Sequence, residues 1–328
     1  MPSDSVSRCM DSAEVESQLA ALSRGELRCA ARLMTRIERG DQGLVPLLQA
    51  LYKRGGHARV IGITGPPGAG KSTLVSRLVG HWRAAGQRVA VLAVDPSSPY
   101  SGGAVLGDRV RMAEHALDDG VFIRSMASRS HLGGLARATG DALVVLEAMP
   151  WDWVVVETVG VGQNETEIVR HAPVVLLVQT PMGGDDVQAA KAGITEIGDL
   201  FVVNKADHPQ AAATVRQLHD MLALAQHLHP ERSWLPPVLK TQALQGEGIA
   251  ELAQAIADCF AHWTSHPAEA DHRSAARLCH RVGELLRELL DRRLRAGRDP
   301  GIDALLGPLL RRESDPYAVA VQLLDAIA

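Results

Sequence analysis

No apolar run in this chain approaches the roughly 20 residues needed to span a bilayer, so no membrane-crossing helix is expected. Neither sign of charge dominates. The 34 basic and 38 acidic residues leave a net charge of −4, which offers no cationic surface for nucleic acid. Cysteine is scarce and scattered: Cys9, Cys29, Cys259 and Cys279 form no C-x-x-C pair, and a reduced, cytoplasmic protein is the expectation. The first twenty residues hold Asp4, Asp11, Glu14 and Glu16 without an apolar segment, unlike a secretory signal or a basic transit peptide. Internal repeats and low-complexity tracts are missing too. There remain length and apolar content. With 328 residues, 46% of them hydrophobic, the chain suits one large domain or a core domain with appendages.

One stretch organises the rest. Gly65-Pro66-Pro67-Gly68-Ala69-Gly70-Lys71-Ser72-Thr73 fits the template G-x-x-x-x-G-K-[ST] at every position. The apolar run Val60–Ile63 before it reads as a buried strand, and Leu74, Val75, Leu78 and Val79 after it recur at helical spacing. Such a strand, glycine loop and helix turn consecutive N–H groups and a helix N-terminus toward phosphate. Lys71 is expected to reach the β- and γ-phosphates, and Ser72 to hold Mg²⁺.

Around this loop the chain divides into three parts. Residues 1–56 read as a helical segment packed on the nucleotide domain, polar at first and helical from a capping box at Ser23–Glu26. Residues 57–262 alternate strand and helix. Val60–Ile63, Val89–Val94, Val121–Arg124, Trp153–Glu157, Val174–Val178, Leu200–Val203 and Val238–Lys240 are short, aliphatic and without alternation. That pattern predicts an α/β fold of the P-loop NTPase kind, its mostly parallel sheet covered by helices on both faces. Asp95, Glu157, Gln179, Asn204 and Thr241 fall at the carboxyl ends of strands, where such sheets bind ligands. Residues 263–328 read as a helical extension suited to dimerisation. Leu278, Val282, Leu285, Leu286 and Leu289 make one stripe there, and Asp315-Pro316 opens a last helix.

Asn204-Lys205-Ala206-Asp207 names the base. The Asp207 carboxylate can accept from both N1–H and the exocyclic amine of guanine, a pair of donors adenine does not present on that edge. Asn204 and Lys205 brace the loop and cover the ring. In Thr241-Gln242-Ala243, Gln242 stands where related loops often have serine, leaving the backbone N–H of Gln242 and Ala243 for the guanine oxygen.

A carboxylate set surrounds the γ-phosphate end. Ser72, Asp95, Asp108 and Glu157 could supply a Mg²⁺ shell, directly or through water. Glu157-Thr158-Val159-Gly160 has the form of D-x-x-G with Glu for Asp, which makes the Gly160 N–H the γ-phosphate sensor. Lys71, Asp95, Glu157 and Gly160 are the expected catalytic set. Gln163 stands three residues past Gly160, offset from the water-positioning glutamine of Ras-like enzymes, so slow intrinsic hydrolysis accelerated by a partner is expected.

These segments together resemble the MeaB/ArgK family, the methylmalonyl-CoA mutase-associated GTPases. Val94-Asp95-Pro96-Ser97-Ser98, Leu106-Gly107-Asp108-Arg109, His131-Leu132-Gly133-Gly134-Leu135 and Glu157–Gln163 carry the likeness beside the phosphate loop and the N-K-x-D run. The resemblance implies a homodimer that binds GTP, GDP and Mg²⁺. It implies hydrolysis of GTP in attendance on an adenosylcobalamin-dependent acyl-CoA mutase, for cofactor loading, protection or reactivation. It also implies a partner-coupling loop at Gly183–Lys191, including Gly184, Asp185, Asp186, Gln188 and Lys191. Ser130 and Thr180-Pro181-Met182 depart from the family pattern, which leaves the identity of the mutase open. Two other readings compete: a nickel or zinc metallochaperone GTPase, for which only His227 and His229 offer a ligand pair, and a kinase linked to amino-acid transport.

Overall fold

In a computed structural model, the chain is described at residues 8–95, 112–115, 117–127, 132–158, 168–181 and 197–296. It divides into two compact units, residues 1–278 and 279–328.

Seven parallel strands form the centre of the first unit: β1 (Arg59–Thr64), β2 (Val89–Asp95), β3 (Val121–Ala127), β4 (Trp153–Thr158), β5 (Val174–Gln179), β6 (Leu200–Val203) and β7 (Val238–Lys240). Their spatial order is β3-β2-β4-β1-β5-β6-β7. The seven expected strands are all present, each within two or three residues of its expected bounds. Alternate residues feed opposite faces. Val60, Leu92, Val154 and Val156 enter one core, and Ile61, Ile63, Val91 and Val155 enter the other. Both faces are covered, so the strands read as unbroken apolar runs. Helix α4 (Lys71–Ala84) and helix α7 (Ile249–Ser265) fill the second core, where Trp82 stacks on Trp153 at 4.4 Å between centroids. Helix α6 (Ala211–Leu228) covers β6 and β7 through Leu218 and Leu222.

The first core is closed by α5 (Leu132–Glu147) and by an amino-terminal layer of α1 (Ser12–Ser23), α2 (Leu27–Glu38) and α3 (Val45–Tyr52). This layer packs on one face of the sheet. Its first helix corrects the sequence reading, which begins the helical part only at Ser23–Glu26. Asp11 and Glu14 form the capping box, the Asp11 carboxylate accepting from the Glu14 N–H at 2.9 Å and the Glu14 carboxylate from the Asp11 N–H at 2.9 Å. Val15, Leu19 and Leu22 bury one face. Ser23 ends α1 instead of starting α2, and its hydroxyl donates to the Leu19 carbonyl at 2.9 Å. A further tie runs from Arg124 of β3 to Thr35 and Glu38 of α2.

Helix α8 (Pro267–Ala296) begins in the first unit, where Arg273 forks onto the Asp199 carboxylate at 2.6 and 2.9 Å. In the second unit the same helix carries Val282, Leu286 and Leu289, each more than half exposed. The expected last helix opened by Asp315-Pro316 lies outside the described residues.

Candidate functional site

Because the strands are parallel, every carboxyl end meets one edge of the sheet, and the polar strand-end residues assemble there. Residues 65–70 leave β1 at this edge and lead into α4. Gly65 has φ of 143°, and a Cβ on it would sit 2.0 Å from the Val178 carbonyl oxygen of β5. Gly70 has φ of 85°, and its missing Cβ would lie 2.4 Å from Asn204 Nδ2. Neither position admits a side chain, so the loop lies flush against the two neighbouring elements. Lys71, buried at 6% exposure, folds back over the loop and donates to the carbonyls of Gly65 at 2.6 Å and Pro66 at 2.9 Å. This keeps its ammonium within the turn where phosphate oxygens are bound in loops of this form. Pro67 and Gly68 are exposed, while Ala69, Lys71 and Ser72 are buried.

The β1–β4 register sets Glu157 beside Ile63, one residue before the end of β1. The Ser72 hydroxyl donates to Glu157 Oε1 at 2.7 Å, both side chains being buried. Beside them the Thr158 hydroxyl donates to Thr64 Oγ1 at 2.9 Å. The Ser72–Glu157 pair joins residues 85 apart in sequence. A hydroxyl and a carboxylate oxygen are hard donors of the kind Mg²⁺ takes, so the residues present fit that ion. Asp95 closes β2 in register with Ala127, at the same edge. Asp108, Gly160, Gln163 and the loop Gly183–Lys191, with Gly184, Asp185, Asp186, Gln188 and Lys191, lie outside the described residues.

The base end is built around Asn204. Its side chain is 3% exposed and makes three bonds. Nδ2 donates to the Ala69 carbonyl of the phosphate loop at 2.8 Å. Oδ1 accepts from the Thr241 hydroxyl and from the Ala243 N–H, each at 3.1 Å. One amide therefore ties the phosphate loop, the tip of β6 and the loop after β7. Lys205 comes next in the left-handed region, φ 57°, the only described residue other than glycine to do so. Its conformation is held by the Ala206 N–H bonding the Thr241 carbonyl at 3.0 Å. Asp207, two residues on, is exposed. The loop after β7 is closed by a backbone bridge between Gln242 and Glu247, in which the Gln242 N–H, also expected at the guanine oxygen, bonds the Glu247 carbonyl at 3.1 Å.

Two features here are not readable from the sequence. The Ala243 N–H, expected to serve the guanine oxygen, is bonded to Asn204. Arg77 of α4 reaches across to the Ala243 and Leu244 carbonyls at 3.1 and 2.9 Å. Both are contacts between distant parts of the chain, which no local motif reports. A further polar group sits behind the phosphate loop. Ser76 donates to Glu114, and His115 Nε2 lies 3.0 Å from the Ser76 carbonyl. The Ser76 hydroxyl holds the Glu114 carboxyl below its usual range despite some burial acting the other way.

Among the described residues no three His, Cys, Asp or Glu side chains cluster as metal ligands. His229 pairs with Glu231 at 3.2 Å. No described helix is long and apolar enough to cross a membrane.

A parallel sheet with this loop at the tip of its central strand and the Asn204–Asp207 loop two strands away defines a P-loop NTPase. The family described as Methylmalonyl Co-A mutase-associated GTPase MeaB matches residues 30–299, and the chain belongs to that family. Among its relatives, a Pyrococcus abyssi protein bearing a GTPase name is 40% identical over 314 residues, 95% of this chain and 97% of that one. GTPase ArgK of Escherichia coli is 38% identical over 256 residues, 76% of this chain and 77% of that protein. The mouse methylmalonic aciduria type A homolog, mitochondrial, is 40% identical over 194 residues, 58% of this chain and 46% of its own length. Among solved structures, a LAO/AO transport system kinase superposes with a TM-score of 0.70 at 28% identity, covering 97% of this chain and 99% of that one.

Proposed function

We propose that this chain hydrolyses GTP to GDP and phosphate with Mg²⁺, and uses that cycle to attend an adenosylcobalamin-dependent acyl-CoA mutase during cofactor loading, protection or reactivation. The observation that carries the nucleotide reading is the Asn204 side chain, which bonds the phosphate loop and both base-end loops at once. Ser72 and Glu157, with Asp95 and Asp108, would hold Mg²⁺, which offsets charge on the β- and γ-phosphates. The Lys71 ammonium binds the same oxygens, and the Asp207 carboxylate selects guanine. The family name supports a mutase as partner. The exposed stripe on α8 supports a homodimer. The few, scattered cysteines support a cytoplasmic setting.

The test is a phosphate-release assay with GTP and ATP, alone and with purified acyl-CoA mutases in apo and cofactor-bound forms. GTP-selective release that one mutase accelerates is the expected result. ATP turnover with transfer to an acceptor would move the protein to the kinase class. GTP turnover unaltered by every mutase would remove the chaperone role. Lys71→Ala should abolish release, since it deletes the charge facing the β/γ oxygens.

A further inference from the structure

We propose that Arg77 is a positioning residue for purine recognition, coupling the phosphate loop's helix to the loop that faces the base. This rests on the guanine-nucleotide reading above. Arg77 lies one and a half turns into α4, past Lys71 and Ser72, and is exposed. Its Nε donates to the Ala243 carbonyl at 3.1 Å and its Nη2 to the Leu244 carbonyl at 2.9 Å. The other side of Ala243 is also held, its N–H bonded to Asn204 Oδ1 at 3.1 Å. Asn204 in turn holds the Ala69 carbonyl of the phosphate loop at 2.8 Å. Ala69, Asn204, Ala243, Arg77 and α4 therefore form a closed ring of bonds, and α4 begins two residues after Ala69.

Within residues 242–247 the loop bonds to itself, through the Gln242–Glu247 bridge and the Gln245 N–H to the Gln242 carbonyl at 3.0 Å. Those internal bonds give it a shape and no fixed place against α4. Asn204 and the burial of Ala243 in the core shared with α4 hold one side of the loop. Arg77 holds the other, and the guanidinium suits the task because two parallel N–H groups fix two successive carbonyls in angle as well as distance. Lysine could bring the charge and lacks the fork. On the guanine reading this loop lies at the purine 6-oxygen, so Arg77 would govern affinity for every 6-oxo purine. Discrimination by the exocyclic amine belongs to Asp207 and is separate.

Calorimetric titration of GDP and IDP, with Mg²⁺, into the full-length protein and its Arg77→Met and Arg77→Lys variants tests this. Both variants should lose about ten-fold in affinity for GDP and for IDP alike, the effect of one charge-assisted hydrogen bond, with the GDP/IDP ratio kept. In turnover the loss should fall on KM more than on kcat. Melting temperatures should stay within a few degrees, since the exposed side chain holds only a loop. Affinities equal to the unaltered protein's would overturn the proposal. So would recovery by Arg77→Lys, which would assign the effect to charge, or a collapsed GDP/IDP ratio, which would route it through Asp207. Failure of the unaltered protein to bind GDP would overturn the guanine reading itself.

Discussion

Asn204→Ala should be the most costly single substitution at the base end. The side chain is buried and makes three bonds, to the Ala69 carbonyl, the Thr241 hydroxyl and the Ala243 N–H. Alanine leaves three groups behind with their partner gone, in a place where water enters poorly. At about 1 kcal/mol for each net bond, the loss sums to about 3 kcal/mol. Thr241→Val removes one of the same bonds and should cost about 1 kcal/mol. The double substitution should then fall short of additivity by about 1 kcal/mol, because the shared bond can be lost only once. The assay is urea denaturation followed by tryptophan fluorescence, with nucleotide affinity measured in parallel. Affinity should drop along with stability, since the phosphate loop and the base loop lose their common tie. A stability change below about 0.5 kcal/mol, or strict additivity in the double variant, would refute the role assigned to this amide.

Asp207→Asn should weaken GTP by on the order of a hundred-fold and favour xanthine nucleotides, because the amide offers a donor where guanine needs an acceptor; competition between GTP and XTP checks it. Gly65→Ala should destabilise by about 2 kcal/mol or more, from strain at φ of 143° and a Cβ 2.0 Å from the Val178 carbonyl oxygen, read as a lowered denaturation midpoint. Ser72→Ala should raise the Mg²⁺ concentration for half-maximal turnover by about ten-fold, checked by Mg²⁺ titration. Burial, with the neighbouring His266 ring, pushes the His262 imidazole below its ordinary value, against an opposite pull from Glu269. The fold therefore prefers the neutral ring. Its contribution is complete above about pH 6.5 and is lost as pH falls through the lowered folded value. His262→Gln should flatten that acid limb in a pH series of melting temperatures.

The strands and the phosphate loop are legible in the sequence because their signals are local. Val60–Ile63 is an apolar run leading into the glycine loop, and Asn204–Asp207 is four consecutive residues at a strand end. The helix Ser12–Ser23 is not, because its apolar face is only Val15, Leu19 and Leu22 amid polar neighbours, and Asp11 with Glu14 looks like an ordinary acidic stretch. The pairings that organise the site are illegible for a different reason. Ser72 and Glu157 stand 85 residues apart, and Arg77 and Ala243 stand 166 apart. Motifs announce that each residue has a task, and only the register of the sheet decides which ones touch. That is why the sequence points Glu157 toward Mg²⁺ without disclosing its bond to Ser72, and why nothing local sets Arg77 apart from a solvated surface arginine.

The amino-terminal layer has a consequence for biosynthesis. Helices α2 and α3 lean on α5, whose residues Leu132–Glu147 leave the ribosome long after them. Until then Leu33, Met34, Leu47 and Leu51 lack the cover that α5 gives them. A growing chain halted before residue 147 would display that greasy surface to holding factors, and clones trimmed to end there should collect in inclusion bodies.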